Sequence, residues 1–479
     1  MKNTNRNAVK RGETEAKAYA KKWTPLTREE FFAFLAIVLF SGLVRVPERS
    51  DFWRTDVPYG FRFPASVMPR DRWEAIMWSL HLSDPDEEEE NERKRGTDSY
   101  DRLFKIKPLY TDLVAACQAH YQPSQNIAID ERMVKSKARV HFKQYMKDKP
   151  TKWGFKIFVL ADSLSAYTWN FFVYVGKRET APARGKGLSY SAVVDLLPLD
   201  LLGTGYRLYV DSFYTSPALF RHLDGRGIGC CGTVRKGRVG FPKTEENDLA
   251  DGAERGDMRW IRDDDGLLFV KWMDTRQVSL CTSIHKAYSE QSVDRHVREA
   301  GRWSVKKIPA PDAIVDYNRH MGAVDLSDAF IKYYSVHHKT MKWYKTFFFH
   351  FVDIAAVNGW LLHKELCAHR GTAHVTHKQF VEGLIREMVE LSGRRRGATP
   401  APVPGVARPA ACVPLYLHEK KGGGGGGVKD ATARRGYCAL CAERHGKRHK
   451  TPVYCEKCDV ALCLVPTRNC FADWHRVRR

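Results

Sequence analysis

The first apolar pattern in the chain is helical. Thr27-Arg28-Glu29-Glu30 has the spacing of a capping box: the Thr27 hydroxyl accepts from the Glu30 amide while Glu30 reaches back. The run FFAFLAIVLF that follows reads as a buried helix, and the amphipathic stretch Asp71–His81 extends the helical region. Residues 1–24 are polar and basic, with nothing to pack, and read as a flexible arm. DPDEEEENERKRG (Asp84–Gly96) segregates its charges and reads as a solvated loop.

From Asn126 the period changes to that of strands. IAID (127–130), KIFVLAD (156–162), NFFVYVG (170–176), YRLYVD (206–211), GCCGTV (229–234), LLFVKWM (267–273) and VSLCTSI (278–284) are short apolar runs between turn signals. Helical segments near Tyr190–Leu197 and Ser216–Leu223 sit between some of them. Together they predict a mixed α/β core. A long aromatic helix, roughly Lys342–Glu365, comes next. Residues 393–430 are rich in Pro, Ala and Gly, with six consecutive glycines at 422–427, and read as a linker.

Charge changes the picture. The 479 residues carry 78 Lys+Arg against 56 Asp+Glu, a net +22, which favours a polyanionic partner. The longest apolar run, Phe31–Val44, has 14 residues, short of the roughly 18 to 20 that span a bilayer. The N-terminus lacks the pattern of a signal peptide. A membrane and secretion are therefore not expected.

Four aspartates stand out by position. Asp130 closes IAID, Asp211 closes YRLYVD, and Asp325 and Asp328 lie in HMGAVDLSDAF, which reads as a loop leading into a helix. A carboxylate at the end of a buried strand is held rigidly. Three converging carboxylates suit two Mg2+ (or Mn2+) ions about 3.5–4 Å apart, as in-line phosphoryl transfer needs. Asp162 and Asp195 are equally plausible by position alone. Between Arg132 and Lys156 stand nine Lys/Arg and one acid, Asp148, interleaved with Phe142, Tyr145, Trp153 and Phe155. That mixture suits a nucleic-acid track, with Lys135, Lys137, Arg139, Lys143, Lys149 and Lys152 as candidate contacts. The plainer alternative is a solvated basic hairpin.

Six of the twelve cysteines fall within the last residues: Cys438, Cys441, Cys455, Cys458, Cys463 and Cys470. With His475 they make seven zinc ligands, one short of two tetrahedral sites. His449, or else His445, is the expected eighth, giving two cross-braced Zn2+ ions; one zinc with spare thiols is the alternative. Residues 431–479 carry 11 Lys/Arg and 4 Asp/Glu, a net +7.

Several segments together resemble the piggyBac-type DNA transposases: IDERMVKSKARVHFKQYMKDKPTKWGFKIFVLADS (129–163), LYVDSFYTSPALFRHL (208–223), GTVRKGRVGFP (232–242), WMDTRQVSLCTSIH (272–285), YNRHMGAVDLSDAF (317–330) and KWYKTFFFHFVDIAAVNGWLLH (342–363). The resemblance implies an RNase H-like catalytic domain over 126–392, with an insertion at roughly 235–310. It implies a helical DNA-binding and dimerisation region over 25–125, and a cysteine-rich module over 431–479 that helps recognise transposon ends. The catalytic aspartates fall on Asp130, Asp211 and Asp325, with Asp328 matching a fourth acidic position. Trp343 matches a tryptophan near the family's active site.

The implied activity is cut-and-paste transposition of double-stranded DNA by a homodimer in the nucleus. Strands are nicked, the freed 3′-OH forms a hairpin, and opened ends join TTAA targets. Basic clusters at 394–397 and 447–450 fit nuclear import. Two departures touch the Asp325 motif: Ala323 stands where a second glycine is usual, and Ala329 where glutamine is common. Alanine at 323 is tolerated only where φ stays negative. The alternatives are a catalytically silent, host-retained DNA-binding relative, and a nuclease that cuts without strand transfer.

Overall fold

The computed structural model describes residues 1–14, 23–56, 58–147, 149–176, 187–235, 237–299, 301–393, 412, 414–417, 435–446, 448–455, 458–465 and 467–477. They fall into two compact units, residues 1–395 and 396–479.

The first unit opens with helices α1 (Lys2–Thr14), α2 (Arg28–Leu43), α3 (Arg62–Val67), α4 (Arg70–Ser79), α5 (Pro85–Arg93) and α6 (Lys107–Ala119). The capping box at Thr27 and Glu30 is present. Two readings need correction here. The basic N-terminal residues are helical from Lys2 to Thr14, although residues 15–22 of the expected arm lie outside the described residues. This helix is held by polar groups: Asn3, Thr4, Asn7 and Arg11 donate to the carbonyls of Leu82, His81, Ser79 and Trp78 at 2.9, 3.1, 2.7 and 2.9 Å. Those carbonyls belong to the C-terminal end of α4 and the turn after it, where a helix leaves acceptors unpaired. A search for apolar periodicity cannot see such a docking.

The acidic segment expected as a loop is α5. Asp84 caps it by accepting from the Asp86 amide, Pro85 sits in its first turn, and the acids at 86–88 face the positive end of the helix dipole. Arg6 pairs with Asp84, and Lys10 with Asp86 and Glu89, so α1 offsets part of its charge. Glu88 is half-buried; against that burial, His81 and Lys105 hold its carboxyl down at about 2.

The core strands are β1 (Asn126–Lys135), β2 (Gln144–Tyr145), β3 (Trp153–Asp162), β4 (Thr168–Val173), β5 (Arg207–Val210) and β6 (Gly229–Thr233), with α7 (Leu188–Leu196), α8 (Leu199–Leu202) and α9 (Pro217–Asp224) between them. β3 runs antiparallel to both β1 and β4, while β1, β5 and β6 run parallel. The order β4-β3-β1-β5-β6 is the RNase H-like arrangement that the resemblance implies. The segment expected as an insertion contains β7 (Met258–Arg262), β8 (Leu268–Met273) and β9 (Gln277–Thr282), which extend the sheet antiparallel from β6. It ends in a separate ribbon of β10 (Ser292–Glu299) and β11 (Arg302–Pro309).

Helices α10 (Asp312–His320), α11 (Ala323–Tyr333), α12 (Trp343–His369) and α13 (His377–Leu391) follow. α12 is aromatic on more than one face because it has two cores to serve. Phe347 and Phe351 join the sheet core, whereas Phe348 and Phe349 pack with Phe34, Ile37, Trp73 and Val381 of the helical one. Gly232 is required by close approach: a Cβ there would lie 2.1 Å from Thr215 Oγ1 and 2.7 Å from the Val210 carbonyl. A side chain there would push β6 off the strand that ends at Asp211. Among the described residues, no helix is long and apolar enough to cross a membrane.

The second unit holds β12 (Pro414–Tyr416), β13 (Gly436–Tyr437), α14 (Ala439–His445), β14 (Lys450–Thr451), β15 (Val453–Cys455), β16 (Val460–Ala461) and α15 (Cys470–Val477). Its strands β12-β15-β16 form one sheet. The expected linker is shortened accordingly, because residues 414–416 pair with β15. Most of 393–430, including the basic cluster at 394–397, lies outside the described residues.

Candidate functional site: a carboxylate centre and a cysteine module

Strand register brings the first two aspartates together. Ile129 pairs with Val210 in the parallel β1/β5 ladder, so Asp130 and Asp211 stand one step further on neighbouring strands and share a face. Arg132, two residues along β1, lies on that same face. It is buried, and its guanidinium grips α11: Nε pairs with Asp328, and Nη2 donates to Ser327 Oγ at 2.9 Å and to Thr168 Oγ1 at 3.3 Å. This clamp fixes α11 against β1, with Asp325 exposed in the first turn of the helix. Ala323 opens α11 after Gly322 (φ −73°) and is absent from the positive-φ residues, so the departure from the glycine pair strains nothing. The motif is a short turn at Met321–Gly322 leading into a helix, as its sequence reads.

Burial lifts the Asp130 carboxyl to about 7, opposed by Lys149 and reinforced by Glu131 and Asp211. Asp211 is raised too, chiefly by burial. Lys149 Nζ lies 3.8 Å from Asp130 Oδ2 and donates to the Glu131 carbonyl at 3.4 Å. A half-buried cation thus balances this corner of the site. Glu131, on the opposite face of β1, accepts from Tyr214 at 3.1 Å and faces Lys156 at 3.9 Å. The GTVRKGRVGFP segment closes the other flank. Arg235 donates to Ser212 Oγ at 3.2 Å, and Arg238 to the carbonyls of Ser212 and Phe213 at 2.8 and 2.7 Å, bracing the turn that follows Asp211.

The two rival aspartates are elsewhere. Asp162 is fully buried and accepts from Tyr121 and from the amides and hydroxyls of Ser124 and Ser165, which uses up a carboxylate's acceptor sites. Asp195 is exposed on α7, not at a strand end. Of the basic track, Lys135, Lys137, Arg139 and Lys152 are exposed. Lys143 lies 5.3 Å over the exposed Trp153 ring, itself 4.8 Å from Tyr145. Asp148 lies outside the described residues. Trp343 is half-buried, edge-on to Phe142 at 5.2 Å, and so leans on the basic segment.

In the second unit two ligand groups close up. Cys438, Cys441, Cys463 and Cys470 form one; Cys412, Cys455, Cys458 and His475 form the other, and within each group the ligand atoms lie within 4.8 Å of one another. Sulfur separations such as Cys441–Cys470 (3.5 Å), Cys412–Cys458 (3.8 Å) and Cys441–Cys463 (3.9 Å) match the edge of a ZnS4 tetrahedron, about 3.8 Å for Zn–S bonds of ~2.3 Å. His475 Nδ1 is 2.7 Å from the Phe471 carbonyl, which fixes the tautomer and leaves Nε2 3.4 Å from Cys458 as a ligand. The groups interleave along the chain, as a cross-brace requires.

The eighth ligand is a correction. His449 is not in either group; its carbonyl accepts from the Cys438 amide at 2.8 Å, in the turn of chain beside the β13/β14 pair. Cys412 takes the place instead, because Pro414 pairs with Cys455 in the β12/β15 ladder and brings the residue two positions upstream alongside. The odd ligand count was the available signal; the long glycine-rich separation hid its answer.

A family model described as Transposase IS4 matches residues 1–360. PiggyBac transposable element-derived protein 3 of Homo sapiens is 28% identical over 457 residues, covering 94% of this chain and 70% of the relative. PiggyBac transposable element-derived protein 2 of Homo sapiens is 28% identical over 351 residues, 71% of this chain and 56% of the relative. A cryo-EM structure of a piggyBac transposase synaptic complex with hairpin DNA has the same fold, with a TM-score of 0.68 at 22% identity over 96% of this chain and 91% of that one.

Proposed function

The chain belongs to the Transposase IS4 family, in its piggyBac-type branch, and from that premise we propose that it is a cut-and-paste DNA transposase whose reaction centre is Asp130, Asp211 and Asp325. The observation that carries this reading is the shared face of Asp130 and Asp211 on adjacent parallel strands, with Arg132 of that face tying down α11, the helix that carries Asp325 in its first turn. Three carboxylates offer hard oxygen ligands, which suit Mg2+ or Mn2+ over softer metals. Bound there, divalent ions would supply activation of the attacking oxygen and stabilisation of the leaving one.

The chain's own residues do the rest. Asp130 and Asp211 hold the centre rigid because their strands are buried on the sheet. Lys149, beside Asp130, meets the scissile phosphate as a cation. The exposed Lys135, Lys137, Arg139 and Lys152 bind the backbone, and Trp153 with Tyr145 offers stacking surface. Water, and then a DNA 3′-OH, attacks; no protein nucleophile is required. Asp328 is a positioning residue on this reading, since Arg132 already occupies it. The eight cysteine and histidine ligands hold two Zn2+ ions, and the basic module around them reads DNA near the element's ends. A homodimer, one subunit per end, acts in the nucleus.

The test is plasmid excision in cells with the element's own terminal repeats, comparing wild type with Asp130→Ala, Asp211→Ala and Asp325→Ala. Precise excision that each substitution abolishes is expected. Binding of the repeats without excision by wild type would instead favour a silent DNA-binding relative.

A further inference from the structure

The β10/β11 ribbon is the least covered piece of regular structure in the first unit. It is paired from Ser292↔Pro309 to Glu299↔Arg302 and joins no other strand among the described residues. Its root is fixed. Trp272 Nε1 donates to the Pro309 carbonyl at 2.8 Å, Arg295 Nε meets Asp274 at 3.0 Å, and Ala310 N donates to the Gln291 carbonyl at 3.0 Å. Ile308 is buried. Beyond that root the ribbon is open: Trp303 is 70% exposed and Val305 60%.

Side chains alternate along a strand, so the register puts Asp294, His296, Arg298, Trp303, Val305 and Lys307 on one face, and all six are exposed. A lone two-stranded ribbon is marginal in water, and a bare tryptophan on it invites a partner. Charge indicates which. From Gln291 to Pro309 there are five cations (Arg295, Arg298, Arg302, Lys306, Lys307) and two acids (Asp294, Glu299), so five minus two leaves +3. A two-stranded antiparallel ribbon fits the DNA major groove, about 12 Å wide and 8.5 Å deep. Strands of eight residues span about 27 Å at ~3.4 Å each, ample to lay a tip into a groove from a distant root.

We propose that this ribbon is a DNA-binding arm, with Arg298 and Lys307 on backbone phosphates and Trp303 against base or sugar edges. The proposal rests on the transposase reading but adds a contact outside the carboxylate centre and the basic track. The test is fluorescence anisotropy with the full chain, zinc retained, on a mixed-sequence DNA duplex across a salt series. Wild type is compared with Arg298→Ser/Trp303→Ser/Lys307→Ser and with the charge-conserving Arg298→Lys/Lys307→Arg.

The triple variant should bind about tenfold more weakly, and its slope of log affinity against log salt should be shallower by about two. The conservative variant should keep the wild-type slope. All three positions are exposed, so unchanged melting temperatures are expected. Equal affinity and slope for the triple variant overturn the arm while leaving the transposase reading intact. Loss of self-association in sedimentation, with DNA binding kept, also overturns it by making the ribbon a contact between copies of the chain. No duplex binding by wild type would sink the DNA-acting reading itself.

Discussion

The proposed carboxylate centre and the cysteine module would both hold metal, but they stand on different foundations. Asp130 and Asp211 ride on strands whose neighbours, Ile127 to Ile129 and Leu208 to Val210, are fully buried in a large apolar core. Arg132 and Lys149 supply the counter-charge that the site needs before any ion arrives. The module's core consists of Cys438, Leu440, Cys441, Cys455, Leu462, Cys463, Cys470 and Trp474, five of which belong to the two ligand groups. Remove the metal and little apolar surface remains to hold it. On the proposed reading, the first site is shaped by the fold, whereas in the second the metal would shape the fold.

The largest expected effect follows from that contrast. Stripping zinc with a strong chelator should unfold residues 412–477, because structural zinc supplies roughly 10 kcal/mol or more of folding free energy. The first unit should keep its cooperative melt. Circular dichroism and limited proteolysis, followed by peptide mapping, separate the two; a module that resists protease without zinc would break the comparison.

Next in size is the Arg132 clamp. Arg132→Met leaves Asp328 half-buried without its partner and should cost about 3 kcal/mol in denaturant unfolding. Asp328→Asn, which keeps a hydrogen-bonding group, should cost less and leave divalent-metal affinity near wild type. Asp325→Asn should do the reverse. Isothermal titration with Mn2+ distinguishes them, and equal loss of metal binding in both variants would return Asp328 to the ligand set.

Cys412→Ser should reduce the zinc content from two ions to one, read by atomic emission on purified protein. His449→Ala should leave it at two. The opposite pattern would restore the histidine as the eighth ligand.

These tests bear on what the sequence makes legible. Asp211 announces itself, because it follows the end of β5, where an apolar run breaks; Asp130 marks only the change from apolar to polar within β1, which runs on to Lys135 instead of closing at the aspartate as expected. The long aromatic helix is equally plain. Arg132 was visible inside the IDERM segment, and period-two alternation places it beside Asp130, but its partner on α11 is 196 residues away and no local pattern marks the pairing. The α1 helix escapes for a related reason: it is held through the carbonyls of residues 78–82, and backbone acceptors leave no trace in side-chain periodicity. Cys412 was hidden by a glycine-rich stretch, where sequence distance says nothing about space.

The smallest effect concerns pH. Glu88, ion-paired with Lys105 and hydrogen-bonded to His81, has its folded-state pKa held at about 2, below the ordinary glutamate value. A depressed carboxylate contributes stability above its unfolded pKa and loses it as pH falls through the folded one. Glu88→Gln should therefore lower the melting temperature by a few degrees near neutrality. The gap from wild type should close between about pH 4.5 and pH 2. A gap that stays constant across that range would remove Glu88 from the account.

Mn2+ titration of the zinc-loaded full chain, followed by electron paramagnetic resonance, tests the central claim most directly. Wild type should bind Mn2+, and Asp130→Asn, Asp211→Asn and Asp325→Asn should each weaken binding at least tenfold, with zinc content and melting unchanged. Undiminished Mn2+ binding in all three variants would contradict the assignment of these carboxylates as the metal centre.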